Sequence, residues 1–272
     1  MTLTRSGLES ARSFLFVPGH RPDRFDKAVA AGAGAVIIDL EDAVAAEDKE
    51  RSRENVAAWL GAGNSAVVRI NPPGTPWSDA DLEVASRYGA PVMVPKSEDP
   101  AVLADLACRM AGECLLLPLI ETAAGVERAG EVCATAGTVR VAFGNADLAA
   151  QLGVAHDDHM ALTYARSRLV SASAAAGLCP PVDGVTTDVR DTDVLTADVL
   201  HARRLGFTAK LCIHPGQIAA VTEHLSPTAS ELRWARGVLD AGESVTVIDG
   251  QMIDRPVLDR ARRILAAAGD TA

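Results

Sequence analysis

The chain has 272 residues, 48% hydrophobic and 23% charged, and 36 acidic residues against 26 Lys and Arg give a formal charge of −10. That is a globular composition long enough for one α/β barrel or two small domains, without the basic footprint of a nucleic-acid binder. With 4% aromatics, no apolar stretch in residues 1–7 and no apolar run of about 18 residues anywhere, it also offers no base-stacking platform, signal peptide or membrane span. Cys108, Cys114, Cys133, Cys179 and Cys212 include no CxxC pair. They are expected to be small core residues in a reducing cytoplasm.

In chain order, short apolar runs alternate with helical patterns. A strand is predicted at 13–18 and a helix at 23–31, opened by Pro22. Strand 35–40 and helix 49–60 follow, then strands 66–70 and 91–95 and helix 99–110. Strands 114–120 and 139–143 precede helix 160–176. A weaker strand at 178–183, a helix at 191–205 with Gly206 as its C-cap and a strand at 210–214 complete the series. Most runs are apolar throughout, as strands buried on both faces of a parallel sheet are. Eight such units predict a (β/α)8 TIM-like barrel over residues 1–218. An open doubly wound sheet is the alternative, but no GxGxxG follows the first strand. Residues 219–272 read as a short helical appendage with one β-like insert at 244–248.

In a barrel, chemistry gathers where strands end and βα loops begin. The second strand ends in Asp39-Leu40-Glu41-Asp42, which needs cations or donors nearby or is the acidic start of a helix. Arg69 lies within the third strand, where its planar fork calls for a carboxylate, either a structural Asp or Glu or that of a substrate. Lys96, after the fourth strand, is a charge partner for the acidic cluster, a Schiff-base lysine or a surface lysine. Glu121 and Asp147 follow the fifth and sixth strands. Two carboxylates on adjacent strand ends suit a hard divalent cation such as Mg²⁺, with a salt bridge and a helix N-cap as their plainer roles. His156 and His159 share a loop with no third ligand marked. His214, after the last strand, bonds a ligand or orients its own loop.

These motifs combine. Arg12-Ser13-Phe14-Leu15-Phe16-Val17-Pro18-Gly19, Ile38-Asp39-Leu40-Glu41-Asp42-Ala43-Val44, Val68-Arg69-Ile70-Asn71 and Val94-Pro95-Lys96 come first. Leu119-Ile120-Glu121-Thr122, Phe143-Gly144-Asn145-Ala146-Asp147-Leu148 and Tyr164-Ala165-Arg166-Ser167 follow. Cys212-Ile213-His214-Pro215-Gly216-Gln217 and Gly250-Gln251-Met252-Ile253-Asp254 close the series. Over residues 12–254 the chain resembles the citrate lyase beta-subunit-like family, related to malyl-CoA and citramalyl-CoA lyases. The resemblance implies Mg²⁺ on Glu121 and Asp147, with Glu41 and Asp42 holding waters around it. It implies that Arg69 binds the substrate's carboxylate, and that Asp254 is lent to a neighbouring subunit in a homotrimer or hexamer. A coenzyme A thioester would lie over the mouth, with Arg21, Arg24 and His214 as its contacts.

The activity implied is reversible cleavage of a 3-hydroxyacyl-CoA such as citramalyl-, malyl- or citryl-CoA into a 2-keto acid and an acyl-CoA. Asp254 is the candidate acid that protonates the thioester enolate. A citryl group on an acyl carrier protein is the alternative substrate. Two further readings are a metal-dependent aldolase on free pyruvate-type substrates, with His20 as its base, and a non-catalytic partner subunit. No nucleic-acid or membrane partner is expected.

Overall fold

Eight short parallel strands close on themselves in sequence order: β1 (Ser13–Pro18), β2 (Ala35–Asp39), β3 (Val67–Arg69), β4 (Val92–Val94), β5 (Leu116–Ile120), β6 (Ala142–Phe143), β7 (Val182–Asp183) and β8 (Ala209–Cys212), with β8 paired to β1. The computed structural model describes residues 3–110, 112–240, 246–248 and 251–269. All eight predicted strands are found, most of them shorter, because apolar residues such as Ala66 and Val139 are buried beside the ladder without extending it. The barrel interior is filled by Phe14, Ile37, Val67, Met93, Leu117, Leu119 and Leu211, in the manner of a packed core rather than a pore.

Helices follow the strands. After α1 (Arg5–Ser10) come α2 (Phe25–Ala30), α3 (Lys49–Gly61), α4 (Ser78–Arg87), α5 (Pro100–Arg109), the short α6 (Ala123–Glu127) and α7 (Ala129–Cys133), α8 (Asn145–Leu152), α9 (Thr163–Ala175) and α10 (Thr192–Leu205). The predicted helix 23–31 is a 3₁₀ turn, Pro22–Arg24, running into α2. In α10, Asp191 accepts from the Asp193 and Val194 N–H groups, and Gly206 ends the helix at φ +106°. Cys133 and Cys212 are buried as expected and no cysteine is paired, but Cys108 is exposed. It lies away from the face of α5 that buries Leu103 and Leu106.

Arg140, just before β6, is fully buried at the end of the barrel opposite the site described below. It donates to the backbone oxygens of Ala11 (2.8 Å), Leu8 (3.4 Å), Glu9 (3.3 Å) and Pro180 (2.6 Å) and to the Thr208 hydroxyl (2.6 Å). Burial pulls its pKa down to about 10. Arg140→Met would keep the stem and orphan these acceptors, so a loss of about 3 kcal/mol is expected, read from urea unfolding midpoints. A midpoint equal to wild type would show that water replaces the fork.

The chain divides into two compact units, Met1–Thr222 and Glu223–Ala272. Helix α11 (Ile218–Leu225) spans the division. In the C-terminal unit, α12 (Ala229–Asp240) and α13 (Arg255–Ala267) bury Ala235, Val238, Leu258, Ala261 and Leu265 against each other. The predicted insert at 244–248 is in part a strand, Thr246–Ile248, paired antiparallel with a second strand, Gln251–Ile253. Ser244, Val245 and Gly250 lie outside the described residues. No helix among the described residues is long and apolar enough to cross a membrane.

Candidate active site

The parallel register sets Asp39, the last residue of β2, beside Arg69, the last of β3. Arg69 donates from Nε and Nη2 to the two Asp39 oxygens at 2.7 and 2.6 Å. Asp39 also accepts from the Glu41 and Ala43 N–H groups. Burial pulls the Arg69 pKa down, but the Asp39 hydrogen bonds and charge outweigh it and hold the guanidinium charged. Of the two readings of the fork left open by the sequence, the structure shows the structural carboxylate, with Asp39 on one edge; Arg69 also lines the cleft.

Glu41, 2% exposed, sits between two cations. Oε1 is 3.1 Å from Lys96 Nζ, and Oε2 is 3.0 Å from Arg69 Nη1 yet receives no aligned hydrogen bond. Burial raises its pKa, which the Arg69 charge opposes. The loop after β2 is held by Lys49, whose buried Nζ donates to the Leu40 and Glu41 carbonyls at 2.7 Å, and by the Asn71 amide on Leu40 O at 2.9 Å. Of the three roles weighed for Lys96, the structure shows the charge partner of the acidic cluster.

Glu121 is 4% exposed. Its Oε1 accepts the Lys96 N–H at 2.8 Å, and among the described residues no ion pair holds it. Burial, then the Glu41 charge, with Asp147 adding, pushes its pKa from 4.5 to about 8. Gly144 makes room for this side chain, since a Cβ there would collide with the Glu121 Cβ and stand 2.5 Å from Oε2. Asp147 is in the first turn of α8, whose N-cap is Gly144 and which has no side-chain cap, so Asp147 is not spent as a helix cap. Glu121, Asp147, Asp42 and Arg69 line one cleft of about 100 Å³, with Phe16 and Leu211 on its apolar side.

This chemistry fits a hard cation. The oxygens are carboxylates in negative excess, Glu41 Oε2 is a buried acceptor that faces Arg69 without an aligned hydrogen bond, and the space beside Glu121 is kept by a glycine. Among the described residues no group of three or more His, Cys, Asp or Glu is placed to hold a metal. Mg²⁺ needs only one or two carboxylates, with water and substrate completing its shell.

The remaining candidates lie elsewhere. Arg21 is paired with Asp23 through two 2.8 Å hydrogen bonds, and Arg24 is exposed. His214, exposed after β8, accepts the Gly216 N–H on Nδ1 and caps its own loop, in a box with Gln217. His159 bonds Asp198 at 2.7 Å and His156 bonds Thr187 at 2.8 Å. His20 follows β1 with Nδ1 buried and unpartnered. Asp254 belongs to the C-terminal unit, where it caps α13 by accepting the Val257 N–H at 3.3 Å. Missed by the sequence reading are the identity of Asp39 as the carboxylate that Arg69 takes, the Lys49 and Asn71 clamps, and Asp183, which holds Arg166 at 2.8 Å and Lys210 at 3.0 Å. Only a polar residue inside an apolar strand, as at Asp183 and Lys210, marked the last.

The chain resembles known proteins along most of its length. The family model described as HpcH/HpaI aldolase/citrate lyase matches residues 12–215. A citrate lyase subunit beta-like protein of Mycobacterium tuberculosis is 37% identical over 267 residues, covering 94% of this chain and 95% of the relative. A (3S)-malyl-CoA thioesterase of Cereibacter sphaeroides is 32% identical over 270 residues, covering 94% of each. The crystal structure of the M. tuberculosis protein CitE in complex with magnesium, acetoacetate and coenzyme A has a TM-score of 0.82 at 35% identity, over 96% of this chain and 99% of that one. With three quarters of its length matched and the barrel shared from end to end, the chain belongs to the HpcH/HpaI aldolase/citrate lyase family.

Proposed function

We propose that this chain is a Mg²⁺-dependent carbon–carbon lyase that cleaves, or in reverse forms, a 3-hydroxyacyl-CoA thioester of the citramalyl, malyl or citryl type. The products are a 2-keto acid and an acyl-CoA. The observation that carries the reading is the cleft lined by Arg69 and by two carboxylates, Glu121 and Asp147, that have no ion pair among the described residues. The ligands named for the M. tuberculosis relative, magnesium, acetoacetate and coenzyme A, support it.

Glu121 and Asp147 would hold Mg²⁺, and Glu41 and Asp42 would hold water around it. Bound there, the ion supplies charge stabilisation at the substrate's hydroxyl oxygen and adjacent carboxylate. Arg69 gives Asp39 its Nε and one Nη2 hydrogen and faces Glu41 Oε2 with Nη1 at 3.0 Å, so the substrate carboxylate would take the Nη N–H groups left over. When the C–C bond breaks, the hydroxyl-bearing carbon becomes the keto carbon as its hydroxyl proton passes to a water molecule. The bonding pair passes to the thioester fragment as an enolate, which must be protonated on carbon. Asp254 of a neighbouring subunit is the acid assigned, with residues 219–272 packed on that neighbour in a cytoplasmic homotrimer or hexamer. Arg21, released from Asp23, and Arg24 would take the phosphates of coenzyme A. His214, whose Nδ1 is used by its loop, offers Nε2 to the same ligand.

The C. sphaeroides relative favours a second reading, thioester hydrolysis. One assay separates the two. Citramalyl-, malyl- and citryl-CoA are each incubated with the chain and Mg²⁺, and keto acid, acyl-CoA and free thiol are measured. Keto acid with acyl-CoA and no free thiol is expected. Free thiol without keto acid would establish hydrolysis, and no turnover of any thioester would overturn both.

Sharing of Asp254 has its own test. Glu121→Gln and Asp254→Asn chains, each expected to be inactive alone, are mixed and allowed to exchange subunits. With random assembly, about a quarter of sites take an intact residue from each of two chains, and activity should recover to that fraction. No recovery would place Asp254 in its own barrel.

A further inference from the structure

Strand β4 ends at Val94, and the chain rejoins the ladder at Ser97. The Ser97 N–H donates to Leu119 O at 3.1 Å and its hydroxyl donates back to Val94 O at 2.8 Å. Pro95 and Lys96 form a two-residue excursion between these anchors. Pro95 has no N–H to satisfy, whereas Lys96 has one that no ladder carbonyl takes. Lys96 is also the single non-glycine residue with positive φ among the described residues, at +48°, a conformation that residues with a Cβ avoid. Such outliers persist where the surroundings over-determine them, and they gather at functional sites.

The left-handed turn aims the Lys96 N–H at Glu121 Oε1, 2.8 Å away. The ammonium reaches in another direction, to Glu41 Oε1 at 3.1 Å. The side chain of Lys96 is 46% exposed, while the two carboxylates it touches are buried. The residue thus holds Glu121 with its backbone and Glu41 with its side chain. A glycine would adopt the turn without strain and leave Glu41 without its lysine, which accounts for a lysine in a glycine conformation.

We propose that Lys96 is a positioning residue of the cation site: its left-handed backbone, not its ammonium, fixes Glu121 by occupying Oε1 and leaving Oε2 to the ion. This rests on the Mg²⁺ reading above. The excursion after β4 is then a device that re-aims one amide, as bulges beside active sites do.

The test compares Lys96→Gly with Lys96→Val by calorimetric titration of Mg²⁺, with melting curves as a control for folding. Lys96→Gly keeps the turn and the N–H and removes a positive charge, so it should bind Mg²⁺ within about twofold of wild type or more tightly. Lys96→Val places a β-branched residue where φ is positive, swings the N–H off Oε1 and should weaken Mg²⁺ about tenfold. If the Val variant does not fold, Lys96→Ala, which keeps a Cβ with the least bulk, replaces it, with a loss of about threefold expected. A Gly variant that melts like wild type yet loses Mg²⁺ about tenfold would assign the role to the ammonium. A folded Val or Ala variant with wild-type affinity would remove any role for the turn. Wild type that binds no Mg²⁺ would overturn the cation site itself, a result distinct from either.

Discussion

In EDTA the chain is expected to lose stability as pH rises from about 4.5 to about 8, and Glu121→Gln is expected to remove most of that loss. The folded carboxyl titrates at about 8 instead of 4.5 because it is buried beside Glu41 and Asp147. Below 4.5 both folded and unfolded chains hold the proton and Glu121 contributes nothing to the dependence. Between 4.5 and 8 the unfolded chain releases it while the folded chain keeps it, so unfolding becomes easier with each pH unit. At about 1.4 kcal/mol per unit the full effect is on the order of 5 kcal/mol. Glu41, also raised by burial, acts in the same direction. Urea midpoints at pH 5 and pH 8 measure it. Parallel pH profiles for wild type and Glu121→Gln would show that the carboxyl is ionised in the folded chain throughout. Mg²⁺ binds the ionised form, so its stabilising effect on wild type should be larger at pH 8 than at pH 5.

Arg69→Lys is expected to lower kcat/KM about 100-fold or more while the chain still folds. Lysine keeps the charge but has no planar fork, and it cannot serve Asp39 through two hydrogen bonds and a substrate carboxylate at once. A charged hydrogen-bond pair contributes roughly 1.5–3 kcal/mol, which is one to two decades in rate, and the slackened Asp39 adds to it. Kinetics on the best thioester substrate, with circular dichroism to verify the fold, decide the matter. Activity within about twofold of wild type would confine Arg69 to anchoring Asp39.

The barrel was legible because its strands are buried on both faces and so are written as continuous apolar runs. The ends of those runs also displayed Glu41, Asp42, Arg69, Glu121 and Asp147. Less was legible where non-local geometry decides. The partnership of Asp39 with Arg69 depends on the β2–β3 register, and the Lys49 clamp depends on α3 turning back over its own strand end. Nothing in Pro95-Lys96 signals a left-handed turn, since glycine is its usual carrier. Helix α4 went unread because Asp and Ser dilute its apolar face of Leu82, Val84 and Ala85. Helix α8 starts at a glycine with no side-chain cap, so the usual start signal is missing. The strand Gln251–Ile253 is a short partner that only its hairpin reveals.

Titration of Mg²⁺ into the wild-type chain, Glu121→Gln and Asp147→Asn, at pH 8 and with melting curves recorded alongside, measures the cation site without any assumption about substrate. Wild type should bind a single ion per barrel, and each variant should bind it at least about tenfold more weakly while melting no lower than wild type, because each removes one charge from a repelling cluster. Equal Mg²⁺ affinity in all three chains would contradict a metal site at Glu121 and Asp147.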